Sequence, residues 1–339
     1  MLKRMRIPAA AAALALVAGT AGGQAIISNG TVKLGINAQG HLNNAGVGLR
    51  YITPAREYES TSDGCECEGW GVGVRSGGVV TSWGGANDAV GGVTNLTNIG
   101  FTSDASSATS TVRLTSGATL QISHEYKPSS VPNLYEVNIT ITNTGAATID
   151  DVVYRRVMDW DIQPTAFSEN VRISGWGATN LIGAGDNGFL SAQPLSMTGS
   201  VNGCTIAGSS AVCNGNFETS VSRDRGSFFD FSFGALAAGE SRAFQTFYGA
   251  AGTLDGLLAA LGSVGAEVYT AAWCAGGSSA CSGKAGPGVF GYGFKGVGGT
   301  KPPELPGGPS VVPEPSTYAL LATGLVGLVG ISRRRRNVA

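Results

Sequence analysis

Charged side chains are scarce in this chain. Asp, Glu, Lys and Arg make up 13% of the 339 residues, which is about half the usual share. Seven of the 22 basic residues and one of the 23 acidic residues lie in residues 1–25 and 313–339, so residues 26–312 hold 15 basic and 22 acidic side chains. The resulting net charge of −7 argues against nucleic acid or anionic lipid as the main partner of this central part.

The usual sequence signatures of hydrolases are also missing. The chain has two histidines, His41 and His124, and contains neither a G-x-S-x-G nor an H-E-x-x-H string. These absences disfavour a secreted hydrolase, and we expect a protein that is not an enzyme and needs no cofactor.

Glycine is abundant, with 53 residues, and supplies the positive-φ positions that turns require. Between the turns, short segments alternate polar and apolar residues, most clearly at 134–142, where Tyr135, Val137, Ile139 and Ile141 share one face. One helical window, 253–261, has leucines at helical spacing. The sequence predicts an all-β domain over 26–298: a large antiparallel β-sandwich, jelly-roll or supersandwich-like, with one short helix.

The six cysteines fit an oxidising compartment. Cys204 and Cys213 bracket a short loop, as do Cys274 and Cys281, and each pair is a disulfide candidate. Cys65 and Cys67 remain; they are also disulfide candidates, although a bond between them would be strained. Free thiols and a metal–thiolate site remain alternatives, but the second needs further thiolate or imidazole ligands.

Two groups of acidic residues could bind a metal ion or donate protons. Asp159 and Asp161 would point to one face of a strand, where they could bind Ca²⁺ or act as an acid–base pair. Arg155 and Arg156 lie close by, so a salt-bridged or solvated surface is the simpler interpretation. Five more acids crowd residues 57–68, where we expect a solvated loop because the spacing does not fit an EF-hand.

The five tryptophans offer a route to sugar binding. An exposed aromatic ring can stack on a sugar, but large aromatics are more often part of the core. Trp70 and Trp176 are the better candidates for an exposed platform, since glycines flank them closely.

Both ends of the chain carry targeting features. Lys3, Arg4 and Arg6 precede a short apolar stretch and small residues, which predicts a signal peptide over 1–25 cut by signal peptidase. A Pro/Gly-rich linker follows the body at 299–311.

Residues 312–339 then contain three parts, a short motif, an apolar run and a basic end. The motif is Val312, Pro313, Glu314, Pro315 and Ser316; the apolar run includes Tyr318, Leu320, Leu321, Leu325, Val326, Leu328, Val329 and Ile331; the basic end is Arg333, Arg334, Arg335 and Arg336.

The apolar run is only marginally long enough for a membrane. Residues 316–332 lack charge and would span roughly 26 Å as a helix, against a hydrocarbon core of about 30 Å. The arginines favour the cytoplasmic side, so the body is expected outside the cytoplasm on a weak single-helix anchor. The two prolines keep the motif extended and accessible to an enzyme.

This tripartite tail resembles the PEP-CTERM sorting signal of exported Gram-negative bacterial proteins. The resemblance implies processing by an exosortase-like membrane enzyme, a transient inner-membrane anchor, and a final place at the cell surface or in the extracellular matrix. It also implies an association with exopolysaccharide and biofilm. Segments 32–42, 65–72, 154–161 and 265–269 resemble phrases in the ectodomains of other such proteins, which have no assigned activity. We therefore expect a structural or adhesive surface protein, with a carbohydrate-binding module and a secreted hydrolase as alternatives.

Overall fold

The computed structural model describes most of the body of the chain. The described residues are 23–61, 63–64, 68–88, 91–197, 205–206, 209–210, 213–276, 281, 283–285 and 288–300. Most of the predicted signal peptide, Cys65, Cys67, Cys204, nearly all of the linker and the whole sorting signal lie outside them.

Strands dominate the described residues. They are β1 (Ala25–Ser28), β2 (Val32–Ile36), β3 (Leu49–Ile52), β4 (Glu57–Glu59), β5 (Glu68–Ser76), β6 (Val79–Asn87), β7 (Gly92–Thr94), β8 (Leu96–Ser103), β9 (Ala108–Leu114), β10 (Leu120–Pro128), β11 (Leu134–Asn143), β12 (Val152–Trp160), β13 (Glu169–Ser174), β14 (Leu181–Gly185), β15 (Thr205–Ile206), β16 (Ser209–Ser210), β17 (Phe217–Glu218), β18 (Arg225–Ser232), β19 (Ser241–Ala251), β20 (Val268–Cys274) and β21 (Val289–Lys295). An α-helix, α1 (Leu254–Val264), and a 3₁₀ turn, Gly283–Ala285, accompany them.

Two large sheets form the sandwich. The first has nine strands in the order β17-β13-β20-β21-β19-β11-β10-β9-β8, and the second has six in the order β14-β18-β12-β5-β6-β7. A four-stranded sheet, β1 to β4, and the small β15–β16 pair complete the described strands. Paired strands run antiparallel in both large sheets, which confirms the predicted all-β antiparallel fold with one short helix.

The main core lies between the two large sheets. The rings of Phe229 in β18 and Phe294 in β21 meet edge to face, with centroids 5.4 Å apart. The Trp160 ring lies 6.0 Å from the Tyr292 ring. Strand β11 buries the predicted face, Tyr135 to Ile141 at every second residue, and leaves the alternate positions 136, 138 and 140 partly exposed. The period of two in the sequence therefore corresponds to one buried sheet face.

Helix α1 covers the other face of the nine-stranded sheet. Leu254, Leu257 and Leu261 pack with Phe247 of β19 and Val289 of β21 in a second apolar cluster. No helix among the described residues combines the length and hydropathy needed to cross a bilayer.

Strand β12 is buried along its whole length because both of its faces are covered. One face points into the sandwich core. The outer face packs under the segment after β14, where Leu190 contacts Val157 and Phe228. This double burial determines the environment of the charged residues in the strand.

Candidate functional site

Two arginines of β12 form buried ion pairs on opposite faces of the sheet. Arg155 Nε lies 2.8 Å from Asp230 Oδ1, and Arg156 Nε lies 2.5 Å from Glu68 Oε1. All four side chains are buried. We had expected these arginines to neutralise Asp159 and Asp161 or to share a solvated face with them. That expectation is wrong, because each guanidinium pairs with another carboxylate in the interior.

The Arg156–Glu68 pair sits in a cage of tyrosine hydroxyls. Tyr248 donates a hydrogen bond to Glu68 Oε1 at 2.7 Å, and Arg156 donates to Tyr154 at 3.1 Å and to Tyr126 at 3.3 Å. Burial disfavours the charge of Arg156, but Glu68 and the tyrosines outweigh it and raise the pKa of the guanidinium well above its usual value. The cage is closed to solvent, and its bonds from Tyr248 to Glu68 and from Arg156 to Tyr126 connect the two large sheets.

Three aspartates converge at one end of the six-stranded sheet. Asp159 lies near the end of β12, Asp161 follows that strand, and Asp224 precedes β18. Antiparallel pairing of Trp160 with Arg225 sets Asp161 beside Asp224. One carboxylate oxygen from each aspartate lies within 4.8 Å of the others. Asp159 and Asp161 are buried and Asp224 is half-buried, so the predicted pair becomes a triad.

A fourth acid, Glu169, lies near this triad in the nine-stranded sheet, but it is not one of the acids whose oxygens lie within 4.8 Å of one another. Glu169 begins β13, and its backbone pairs with Arg223, the residue before Asp224. Its Oε1 accepts a hydrogen bond at 3.2 Å from the backbone N–H of Ile162, the residue after Asp161. The side chain is fully buried. We refer to Asp159, Asp161, Asp224 and Glu169 as the carboxylate cluster.

Burial dominates the electrostatics of the carboxylate cluster. It raises the pKa of Asp159 well above its usual value, and the charges of Asp161 and Asp224 raise it further. Burial likewise raises the pKa of Glu169 to about 10, with Asp161 and Asp159 adding to the shift against backbone hydrogen bonds that lower it. Burial also raises the pKa of Asp224. Negative charge is therefore costly here unless a cation or protons neutralise it.

A polar pocket opens beside the carboxylate cluster. Its volume is about 330 Å³, and it is lined by Gly46, Arg50, Glu57, Glu59, Asp63 and Gln163. The chain connects the two features, since the N–H of Asp161 donates to Ser60 O at 2.7 Å and the N–H of Gln163 donates to Glu59 O at 3.1 Å. The pocket mixes carboxylates, an amide and a guanidinium, a set that suits a hydroxyl-rich ligand.

The expectation of a solvated loop over 57–68 is wrong for two of its five acids, whereas Asp63 is exposed and Glu66 lies outside the described residues. Glu59 is 3% exposed and Glu68 is fully buried. Glu59 pairs with Arg50 at 2.8 Å and accepts backbone N–H groups from Gly48 and Leu49 at 3.2 Å. Glu59 and Glu68 are buried because they lie in strands β4 and β5. The number of charges in the local sequence does not reveal this burial.

The tryptophans mostly belong to the interior. Trp70 is fully buried, and its ring stacks 6.2 Å from the Tyr154 ring, so the predicted exposed platform is wrong at this residue. Trp160 and Trp273 are buried as well. Trp176 is 37% exposed, which leaves it as the remaining candidate for a stacking surface.

The cysteines confirm part of the disulfide prediction. Cys274, at the end of β20, is bonded to Cys281 seven residues later. Cys213 is also in a disulfide. Cys204, Cys65 and Cys67 lie outside the described residues, so their pairing stays a prediction.

The two histidines lie close together in the core, which the sequence did not indicate. The His124 ring lies 4.5 Å from the Trp70 ring. His41 Nε2 lies 3.1 Å from Asp88 Oδ1 at the surface. Burial lowers the pKa of His124 well below its usual value, and the charges of Arg156 and His41 lower it further.

Sequence reasoning missed Asp224 and Glu169. Asp224 stands between Arg223 and Arg225, where it resembles an ordinary surface charge, and Glu169 lies in a polar stretch before β13. Neither residue forms a short sequence motif with Asp159. The contact arises only when β13 and β18 are placed in their sheets.

Comparisons with known proteins bear on both the C-terminal segment and the fold. The PEP-CTERM protein-sorting motif matches residues 311–336. No curated protein matches the sequence. Among solved structures, the chain is similar to a galactose mutarotase-like protein from Lactobacillus casei ATCC 334, with 10% identity, a TM-score of 0.28, and coverage of 80% of this chain and 87% of that one.

The fold and the motif together define a class of protein. The body is an antiparallel β-sandwich, and the C-terminal segment is a PEP-CTERM sorting signal. Such a signal implies an exported protein that is anchored transiently in a membrane and processed by an exosortase-like enzyme.

Proposed function

We propose that the mature body is a non-enzymatic structural or adhesive protein of the Gram-negative cell surface or extracellular matrix, associated with exopolysaccharide. The observation that carries the proposal is the sorting motif at residues 311–336. The signal delivers the body outside the cytoplasm, and signal peptidase would remove residues 1–25 at the other end. The negative charge of the body favours a neutral or cation-bridged polymer over an anionic one as its direct contact.

The carboxylates support a role without catalysis. Asp159 and Asp161, the pair that we considered as a general acid and base, are 2% and 0% exposed. A catalytic carboxyl group must reach its substrate, and these two are covered by the fold. A hydrolase would be supported if an ester or glycan substrate were turned over and Asp161→Asn abolished that turnover.

Processing at the PEP motif is tested by a double substitution. Glu314→Ala with Pro315→Ala removes the acid and one of the two prolines that favour an extended motif. We expect the full-length tail to persist in the membrane fraction by mass spectrometry. The control, Pro306→Ala with Pro309→Ala, changes two prolines of the linker and should be processed like the wild type. Normal cleavage of the first variant would refute recognition through these residues.

Carbohydrate binding is a second candidate, favoured by the polar pocket. Its carboxylates, its amide and Arg50 could hydrogen-bond sugar hydroxyls. The exposed Trp176 offers a separate stacking surface. An array of bacterial polysaccharides probed with the protein and with the variants Gln163→Ala and Trp176→Ala separates the two sites. Loss of binding in one variant assigns the site, and no binding to any polysaccharide contradicts this function.

A further inference from the structure

Four strands form the outer edges of the two large sheets, and three of them are short or covered. An outer strand leaves one row of backbone N–H and C=O groups without a partner strand, and proteins usually keep such rows short or protected. Strand β17 has two residues and β7 has three. Strand β14 has five, and the N–H of Asn214 covers its edge by donating to Ala184 O at 2.7 Å.

Strand β8 is the exception, with eight residues at the edge of the nine-stranded sheet. Its sequence, Leu96–Ser103, contains no charged residue and no proline, the two kinds of residue that commonly protect an exposed edge. Gly100, Thr102 and Ser103 are exposed. The side chains of β8 therefore do not oppose the addition of another strand.

The pairing with β9 shows which backbone groups of β8 are free. The N–H of Asp104 donates to Ser107 O at 2.9 Å, so these opposite residues form a hydrogen-bonded pair. Hydrogen-bonded and non-hydrogen-bonded pairs alternate along antiparallel strands. Phe101 and Ser103 are therefore in non-hydrogen-bonded pairs, and their N–H and C=O groups point away from β9. No residue in the described part of the chain bonds to these groups.

Two features limit the free part of this edge and set its centre. The register of β8 and β9 shifts at Ile99, the extra residue of a β-bulge. At the other end, Ala105 O already accepts the N–H of Ser28 at 3.1 Å. The free part of the edge therefore lies between residues 99 and 105, and Thr102 is its midpoint.

The occupant that fits this edge is the same edge of a second copy. The linker after the body cannot supply a matching strand, because proline has no N–H to donate. Its residues 301–311 contain four prolines, Pro302, Pro303, Pro306 and Pro309. Two copies of β8 offer equal, uncharged rows of free groups, and a single two-fold axis pairs them with each other.

We propose that two copies of this protein associate through β8, antiparallel about a two-fold axis at Thr102, so that their nine-stranded sheets become continuous. Phe101 then pairs with the partner's Ser103, and each of the two such pairs exchanges backbone hydrogen bonds. The two Thr102 side chains lie opposite one another, and cross-strand pairs of threonine are favourable. The partner also covers the half-buried Phe101.

The free part of the edge is short, so the dimer is weak and forms where copies are crowded, by mass action. This self-association goes beyond the proposed location at the cell surface, and it does not require a bound sugar.

Disulfide trapping tests the register. In the proposed dimer, the two residues at position 102 form a non-hydrogen-bonded pair with Cα atoms about 4.5 Å apart, which a disulfide can bridge. The full chain with Thr102→Cys, purified in detergent and oxidised in air, should therefore migrate as a dimer on a non-reducing gel. The control is Ala243→Cys, because Ala243 is exposed on β19 in the middle of the same sheet; it should stay monomeric, like the wild type. Equal dimer formation in the two variants, or none in Thr102→Cys, overturns the proposal.

A charged variant tests the association without a new thiol. Thr102→Lys places two ammonium groups opposite each other at the axis, where like charges are destabilising. Sedimentation equilibrium of the full chain over a range of concentrations should give a dimer dissociation constant about fivefold higher than that of the wild type, or more. Ala243→Lys adds the same charge away from the edge and should match the wild type. A wild type that stays monomeric at every concentration, an unchanged constant in Thr102→Lys, or an equal rise in Ala243→Lys contradicts association through β8.

Discussion

At the scale of the residue, the charges buried in this sandwich depend on their partners. Arg156 is fully buried, and its charge is tolerated because Glu68 and three tyrosine hydroxyls surround it. A pair of this kind costs desolvation when it forms, but breaking it leaves one charge alone in the interior. Removing the carboxylate of Glu68 would measure the cost of leaving the Arg156 charge alone in the interior.

Glu68→Ala should lower the free energy of unfolding by about 3–5 kcal/mol, because it leaves the Arg156 guanidinium uncompensated. The measurement is urea-induced unfolding of the purified protein followed by tryptophan fluorescence. Glu57→Ala is the control: Glu57 pairs with Lys33 and Arg50 near the surface, and its loss should cost less than about 1 kcal/mol. Equal losses in the two variants would contradict the role of the buried pair.

His124 should make the protein sensitive to mild acid. Burial lowers the pKa of His124 in the folded state, whereas the unfolded chain binds the proton near pH 6.5. Below that pH the unfolded state therefore holds more protons, and stability falls by up to about 1.4 kcal/mol per pH unit until the folded pKa is reached.

The variant His124→Gln has no titrating ring, so it should lose this part of the pH dependence. Unfolding free energies of the wild type and the variant, measured from pH 7.5 to 4.5, give the difference between the two profiles. The difference should grow as the pH drops below 6.5. Parallel profiles would show that His124 does not contribute.

At the scale of elements, close backbone contacts decide where glycine is required. Gly226 in β18 is one such position. A Cβ there would lie 2.2 Å from Gly188 Cα and 2.3 Å from Met158 O. Both neighbours are backbone atoms, so β18 or the segment after β14 would have to move. The same segment covers the outer face of β12.

Gly226→Ala should therefore destabilise the protein by about 3 kcal/mol or more, since overpacking against backbone cannot be relieved by a rotamer change. Gly262→Ala is the opposite case, because this glycine lies inside α1 with nothing within 4 Å of the added Cβ. It should raise stability by about 0.5–1 kcal/mol through helix propensity. Thermal unfolding of both variants checks the pair, and a neutral Gly226→Ala would refute the close contact.

Local patterns predicted the elements well where one face is buried. The alternation at 134–142 corresponds to β11 (Leu134–Asn143). The leucine spacing at 253–261 corresponds to α1, which Thr253 caps by accepting the N–H of Gly256 and which Gly265 ends at φ 74°. Strand β12 is different, because both faces are covered and its charges are paired inside. Periodicity does not reveal that kind of burial.

At the scale of the whole molecule, the sorting signal bears on where the body is sent. The motif at residues 311–336 implies export and a transient anchor, and the disulfide between Cys274 and Cys281 fits an oxidising compartment. The disulfide is therefore consistent with the export that the sorting motif implies.

A reporter fused after Thr300 tests the topology. Alkaline phosphatase, which needs disulfides to be active, should be active in this fusion when residues 1–25 are present, because the body is carried out of the cytoplasm. The same fusion without residues 1–25 should be inactive. An inactive fusion in the presence of residues 1–25 would contradict the predicted export and the function that rests on it.

The amino-acid sequence by itself indicated export, through the sorting motif at residues 311–336, and the fold class. Targeting motifs are short and contiguous, and the period of two reports a half-buried strand from neighbouring residues alone. Only the tertiary structure decided that Trp70 belongs to the core, that Glu68 neutralises Arg156, that Asp224 joins Asp159 and Asp161, and that Glu169 lies near them. These contacts connect residues that are far apart in the chain, and they form only when antiparallel pairing and the stacking of two sheets bring distant strand ends together.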